Sequence, residues 1–361
     1  MFRRVRNFFY NHRRKFLFGG VFFGTLILLA RYARGKVRES QEKEVNELLE
    51  RTRRRQHFEN TERTCNEIMQ TLSSNLRNAV TKCLDCEKIV NELREGTADK
   101  ISAWNTLKVL AISRTATIIY SYTMFVITLR IHFNVLGGCM LKDSKISNNS
   151  SQSLEKVDER TREKYLSACG YLMDEGIKKL SALIQEKVKE ITSIYSLQNK
   201  LHLHDVQHIY WAISSTLSAM ENEDPVKNLS SYIVDPNLTK NNQSDKPLIK
   251  LIDQTLDLME SQEVQELMQN NLRAGLALLT DRISEYFNDN VKSDSAETQA
   301  SDMFSNLNAA TMPMAKIIPI LNGQVPENPT SGDLPSDWLE RLLLSEELKA
   351  LGANIYEAFC Y

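Results

Sequence analysis

Three histidines and an aspartate fall within seven positions, His202-Leu-His204-Asp205-Val-Gln-His208. On a helix His204 and His208 share one face, a single turn apart, and with a third ligand they would hold a divalent metal. The glutamate that follows the first histidine of a hydrolytic zinc helix is absent, so a solvated helix surface is the expectation. A signal-anchored, glycosylated lumenal metalloenzyme built on residues 202–208 stands as the alternative. Cys83-Leu-Asp-Cys86 has the spacing of a redox dithiol or of half a zinc site. No second pair follows it, so reduced, packed thiols are expected there and at Cys65, Cys139, Cys169 and Cys360. His57 and His132 stand alone and read as packing residues. A phosphate-cradling glycine loop, a nucleophile elbow and a paired zinc motif are all missing from the sequence.

Residue types suited to binding are better placed. Around Gly96 one helix closes with Leu93, and the next opens with Lys100 and Trp104 one turn apart, so an apolar side chain, an ammonium and an indole converge at one apex. Leu107 and Ala111 continue the Trp104 face and make a shallow groove for an amphipathic helix. Tryptophan suits such a place because it removes a large area from water and keeps a donor free. The competing reading is a tryptophan packed within the fold.

The elements that must position these residues are helices. Only 13 glycines and 8 prolines punctuate 361 residues, and Leu, Glu, Lys, Gln and Ala are abundant, so an all-α fold is expected: one large helical bundle around a long central helix. The pattern predicts a charged stalk over 36–70 with Val37, Val45, Leu48, Leu49 and Phe58 as sparse apolar contacts, then a helix over 72–93. A central helix over 100–136 follows, capped by Thr97 or Asp99 and stopped by Gly137-Gly138. Later helices are expected over 160–195, 197–220, 247–288, 300–321 and 337–359. Within the central helix, residues 115–129 (TATIIYSYTMFVITL) are apolar enough to raise the question of a membrane span. Their Thr, Ser and Tyr content favours a core helix buried on all sides.

Residues 16–30 (FLFGGVFFGTLILLA) carry no charge and follow a basic cluster of Arg3, Arg4, Arg6, Arg13, Arg14 and Lys15. At about 1.5 Å per residue they reach roughly 22 Å, and snorkelling flanks extend that toward the roughly 30 Å hydrocarbon core. One N-terminal transmembrane helix is therefore expected. A secretory signal peptide has a similar layout, but Leu28 and the basic run after Ala30 make a poor cleavage site. Net charge is −1, with 45 basic and 46 acidic residues, which gives no electrostatic case for nucleic acid. The sequons at Asn148, Asn149, Asn228, Asn237 and Asn242 suit a lumenal protein, although this tripeptide is common in Asn/Ser-rich loops.

Several blocks, in order, carry a resemblance. They are the basic N-terminus with its short apolar span, Arg54-Arg55-Gln56-His57-Phe58-Glu59, Arg63-Thr64-Cys65, and Lys100-Ile101-Ser102-Ala103-Trp104 with Leu107-Lys108. Further on come Ser113-Arg114, Leu129-Arg130, Asn134, Gly137-Gly138, Ala315-Lys316-Ile317-Ile318-Pro319-Ile320, Asn322-Gly323-Gln324 and Ala353-Asn354-Ile355-Tyr356-Glu357-Ala358-Phe359. Together they resemble the peroxin three family, the peroxisomal membrane proteins that dock the shuttling receptor peroxin nineteen. The resemblance implies a matrix-facing tail over 1–15, an anchor over 16–33 amid peroxisomal membrane lipids, and a cytosolic docking domain over 34–361. It implies no enzyme activity, no cofactor, no small-molecule substrate and no nucleic acid. The family's partner is the amphipathic N-terminal helix of peroxin nineteen, received at the apex of the bundle. Carried over to this chain, Trp104 is the central anchor, Leu93 an apolar wall, Lys100 a flanking contact and Lys316 a second basic contact. Residues 142–251 match only in helical character, and the cluster over 202–208 is not a family motif.

Overall fold

The computed structural model describes residues 13–96, 99–149, 157–236, 245–294, 310–330 and 332–360; side chains of 13–30, 145–149, 288–294 and several residues between 32 and 40 lie outside that description. The helix α1 (Arg13–Cys83) carries the expected anchor as helix, but the anchor's side chains fall among those not described. The chain divides into two compact units, Met1–His57 and Phe58–Tyr361. In the first, Val45, Leu48 and Leu49 are exposed, so these apolar positions of the stalk make no buried contact there; the Val37 side chain lies outside the described residues. The second unit holds the packed core.

After α1 come α2 (Cys86–Glu95) and α3 (Lys100–Asn149). Then follow α4 (Glu159–Ser167), a π-helical turn (Leu172–Gly176), α5 (Ile177–Thr192), β1 (Lys200–His202), α6 (Leu203–Ser218) and α7 (Ser230–Ile233). The chain continues with α8 (Lys246–Met259), α9 (Gln262–Asp294), β2 (Thr311–Pro313), α10 (Met314–Gln324), α11 (Leu334–Leu343) and α12 (Glu346–Phe359). The long helices expected over 160–195, 247–288 and 337–359 are each divided, the last at Ser345, whose hydroxyl accepts from Leu348 N. The antiparallel pair β1–β2, with Leu201 opposite Met312, was not anticipated; three residues a side are too few to leave an alternating pattern.

α3 is the axis. It is flanked by α2, α5, α8, α9, α10, α11 and α12, and 83 % of its most apolar window is buried. Some of its hydroxyls are absorbed by the helix itself: Thr115 Oγ1 donates to Ile112 O at 3.0 Å and Thr123 Oγ1 to Ile119 O at 2.7 Å. Thr115 also meets Tyr210 OH at 2.7 Å, and Trp338 Nε1 donates to Thr123 Oγ1 at 3.3 Å. A helix with those polar partners on its flanks belongs in a protein core, as the composition of 115–129 predicted.

Gly137-Gly138 does not end α3, which runs on to Asn149. The two glycines let α12 approach. A Cβ on Gly138 would lie 2.6 Å from Phe359 Cβ and 2.8 Å from Tyr356 O, and one on Gly137 would lie 3.0 Å from the Thr61 side chain. Close approach, and not termination, is their use here. Three buried arginines tie distant parts of the chain together, two of them, Arg114 and Arg130, from α3 itself. Arg77 donates to Asp333 at 2.7 Å and to Pro326 O, and Arg114 to Asn322 Oδ1 at 2.7 Å and Glu87 at 3.1 Å. Arg130 pairs with Glu62 and donates to Leu343 O at 3.3 Å, while Asn134 Nδ2 donates to the other Glu62 oxygen at 2.9 Å.

Candidate docking site

The apex is built by capping chemistry. α2 ends on Gly96 at φ 71, a left-handed conformation that an L side chain resists, and the Gly96 N–H returns to Glu92 O. α3 opens on Asp99, whose carboxylate accepts from Ser102 N at 3.3 Å and Ile101 N at 3.4 Å. Asp99 is thus the cap, while Thr97 falls outside the described residues. The resulting antiparallel hairpin carries Leu93, Lys100, Trp104 and Leu107.

Their exposure sorts them. Lys100 is exposed, and Ile101 beside it is 68 % exposed. Trp104 and Leu93 are half-buried, each packed on one side against the core. Leu107, expected to line the groove, is only 3 % exposed and does not reach the surface; with Ala111 it belongs to the core cluster against which Trp104 packs. The i, i+3 offset from Trp104 turns Leu107 far enough inward to be sealed.

Lys108 supplies a feature that sequence reasoning passed over. Its side chain is buried, and Nζ donates to Thr192 O at 3.0 Å and Tyr195 O at 2.7 Å, closing the C-terminal end of α5. Burial lowers its pKa. The carbonyls it holds are followed by Leu197 O and Asn199 O, which accept from Ala315 N and Met314 N at the start of α10. That chain of hydrogen bonds connects α3 to the turn bearing Lys316, which is exposed. A lysine two turns into a mixed polar and apolar helix opening leaves no periodic signal, so only the carbonyl geometry reveals it. Ile194, on the turn that Lys108 grips, is 75 % exposed.

The chemistry-bearing motifs resolve differently. Cys83 closes α1 and Cys86 opens α2, with Asp85 between them capping α2 through Lys88 N at 2.9 Å. The CxxC spacing is a helix junction. Burial pushes the Cys86 thiol up to about 11, which suits a packing residue. Asp205 occupies the position after His204, but its carboxylate accepts from His202 N at 2.7 Å and closes a capping box at the start of α6. Among the described residues no group of three or more His, Cys, Asp or Glu is gathered as for a metal. His132 is wholly buried on α3 with its ring 4.9 Å from that of Tyr165.

The Peroxin-3 family profile matches residues 7–103 and 139–358. The chain is similar to peroxisomal biogenesis factor 3 of Bos taurus, 30 % identical over 373 residues that cover 99 % of this chain and 98 % of the relative. The belonging is plain at that coverage. This chain is a member of the Peroxin-3 family. The Homo sapiens factor shows the same identity and coverage, and peroxisome biogenesis protein 3-2 of Arabidopsis thaliana is 23 % identical over 87 % of this chain and 88 % of its own length. Peroxin-3 membership makes this a factor of peroxisome biogenesis, associated with the peroxisomal membrane and its protein import, and not a known class of enzyme. Leu93, Lys100 and Lys316 lie within the matched segments, and Trp104 falls one residue beyond the first. The unmatched stretch 104–138 is the enclosed part of α3, where apolar volume is what the fold asks for. Within that unmatched stretch Arg114, Arg130 and Asn134 tie other elements to α3, and Gly137 and Gly138 admit close neighbours.

Proposed function

We propose that this protein docks peroxin nineteen, receiving the receptor's amphipathic N-terminal helix on the face of the α2–α3 hairpin and the start of α10. The observation that carries the reading is Trp104, packed against the core but still partly exposed, beside exposed Ile101 and Lys100. An indole in that position gains by being covered, and apolar anchors ringed by cations suit an amphipathic helix. Burying one indole and a few aliphatic side chains at about 25 cal/mol/Å² supplies several kcal/mol, much of it offset by association and ordering. The outcome is a reversible complex, as a shuttling receptor requires.

In this reading residues 16–33 anchor the protein in the peroxisomal membrane, 1–15 face the matrix and 34–361 are cytosolic. Its support is that the other long apolar stretch, within α3, is consumed by the core. A lumenal, glycosylated protein is the opposing arrangement. Against it, the Asn228 amide is engaged internally, donating to Glu221 O at 3.1 Å.

Calorimetric titration of the receptor helix into the full-length protein in detergent tests the site. Trp104→Ala should weaken binding by at least about 2 kcal/mol. Lys100→Ala and Lys316→Ala should have smaller effects that shrink with added salt. Unchanged affinity in Trp104→Ala would remove the site.

A further inference from the structure

Docking at the hairpin leaves His204 and His208 unused. Both are exposed on α6 one turn apart, and their Nε2 atoms face each other across 3.1 Å, with ring centroids 4.1 Å apart. Without a metal this contact requires one Nε2–H to be donated to the other ring's lone pair, although water is available to both. With a metal it needs no such compromise. Imidazole nitrogens bind zinc-like ions at about 2.0–2.1 Å, so a separation of 3.1 Å corresponds to an N–metal–N angle of about 98°, between the octahedral and tetrahedral values.

We propose that His204 and His208 form a two-imidazole chelate for a divalent transition-metal ion of the zinc and nickel class, with water or an external ligand completing the coordination. Asp205 is not a ligand, because its carboxylate is held by the backbone and ring of His202. That separates the site from a hydrolytic zinc helix, whose carboxylate must face the metal-bound water. With two protein donors on an open surface, the ion is exchangeable. Hard cations such as Mg2+ prefer oxygen and are excluded by the donor set. The site is independent of receptor docking and stands or falls separately from it.

Trp211 provides a reporter, since it follows His208 by one turn and is 66 % exposed. The full-length protein in detergent is titrated with Ni2+ in a Cys83→Ser background, which removes the exposed thiol found among the described residues. Ni2+ should quench tryptophan fluorescence saturably, and Trp211→Phe should abolish that change while equilibrium dialysis still shows Ni2+ bound. His204→Ala and His208→Ala should each weaken Ni2+ and Zn2+ binding by at least about ten-fold, because the second imidazole is presented at high effective concentration. His202→Asn, which keeps a capping acceptor, should leave binding unchanged, and Mg2+ should give no response. Circular dichroism confirms folding, since alanine on an exposed helix face favours the helix. Equal affinity in either alanine variant, equal response to Mg2+, or no saturable Ni2+ uptake by the parent would overturn the chelate.

Discussion

Trp104 and Leu107 lie one helical turn apart, and substitution should split binding from folding between them. Trp104 packs on the core with part of its indole exposed, so Trp104→Ala should lower the melting temperature less than Leu107→Ala does while weakening the receptor complex. Leu107 is sealed in the core, so Leu107→Ala should cost about 2–5 kcal/mol of stability through lost burial and a residual cavity. Thermal unfolding of both variants, beside titration with the receptor helix, measures the separation. His132 offers a second test at this scale. Burial pushes its pKa down to about 4 from an ordinary 6.5, against a partly opposing hydrogen bond from Nδ1–H to Thr128 O. Folding therefore favours the neutral ring. Its contribution is complete above the unfolded value and is lost as pH falls from 6.5 through the folded value near 4, amounting to about 3 kcal/mol. Urea midpoints at several pH values should show that slope, and His132→Phe should flatten it.

Among elements, the junction of α3 and α12 is the most sharply specified. A Cβ at Gly138 would sit 2.6 Å from Phe359 Cβ, so Gly138→Ala should push α12 outward and destabilise by about 1–3 kcal/mol, within the range for overpacking. Faster limited proteolysis around residues 343–360 would report it. The same glycines show why sequence reasoning stopped α3 too early: a glycine pair ends a helix or admits another, and only the partner decides which. The all-α class and the buried character of 115–129 were legible, because length, composition and a scarcity of breakers act locally. So were Asp99 and Gly96, whose caps depend on neighbours a few residues away. The breaks that divide the later helices were missed although two of them rest on local caps, Ser261 accepting from Val264 N and Ser345 from Leu348 N. The reason is that a serine inside a long amphipathic run is also tolerated within a helix. At the site, Trp104 and Lys100 were legible as a pair one turn apart. Lys108 was hidden, because its partners stand more than eighty positions away.

For the whole molecule, the proposed topology assigns the two longest apolar stretches different fates, 16–30 to the membrane and 115–129 to the core, and the core assignment rests on the burial of α3. A fragment of residues 38–361 should be soluble and monodisperse without detergent, with a circular dichroism spectrum dominated by helix, while the full-length protein stays in the carbonate-extracted membrane pellet. A fragment that needs detergent would place 115–129 in the bilayer and reverse the topology of all that follows. The enclosure of α3 also has a consequence for synthesis. Apart from α1 and α2, every helix that surrounds it is made after it, and the last of them, α12, ends roughly 230 residues beyond Leu129. At about 5–20 residues per second, the nascent chain presents a bare span-like segment to the cytosol for about 10–45 s before its cover exists. During that interval only its Thr, Ser and Tyr content distinguishes 115–129 from a membrane segment. Chaperone shielding of this segment on the ribosome is the expected consequence, and crosslinking of a chaperone to the nascent chain should peak on ribosomes stalled near residue 200.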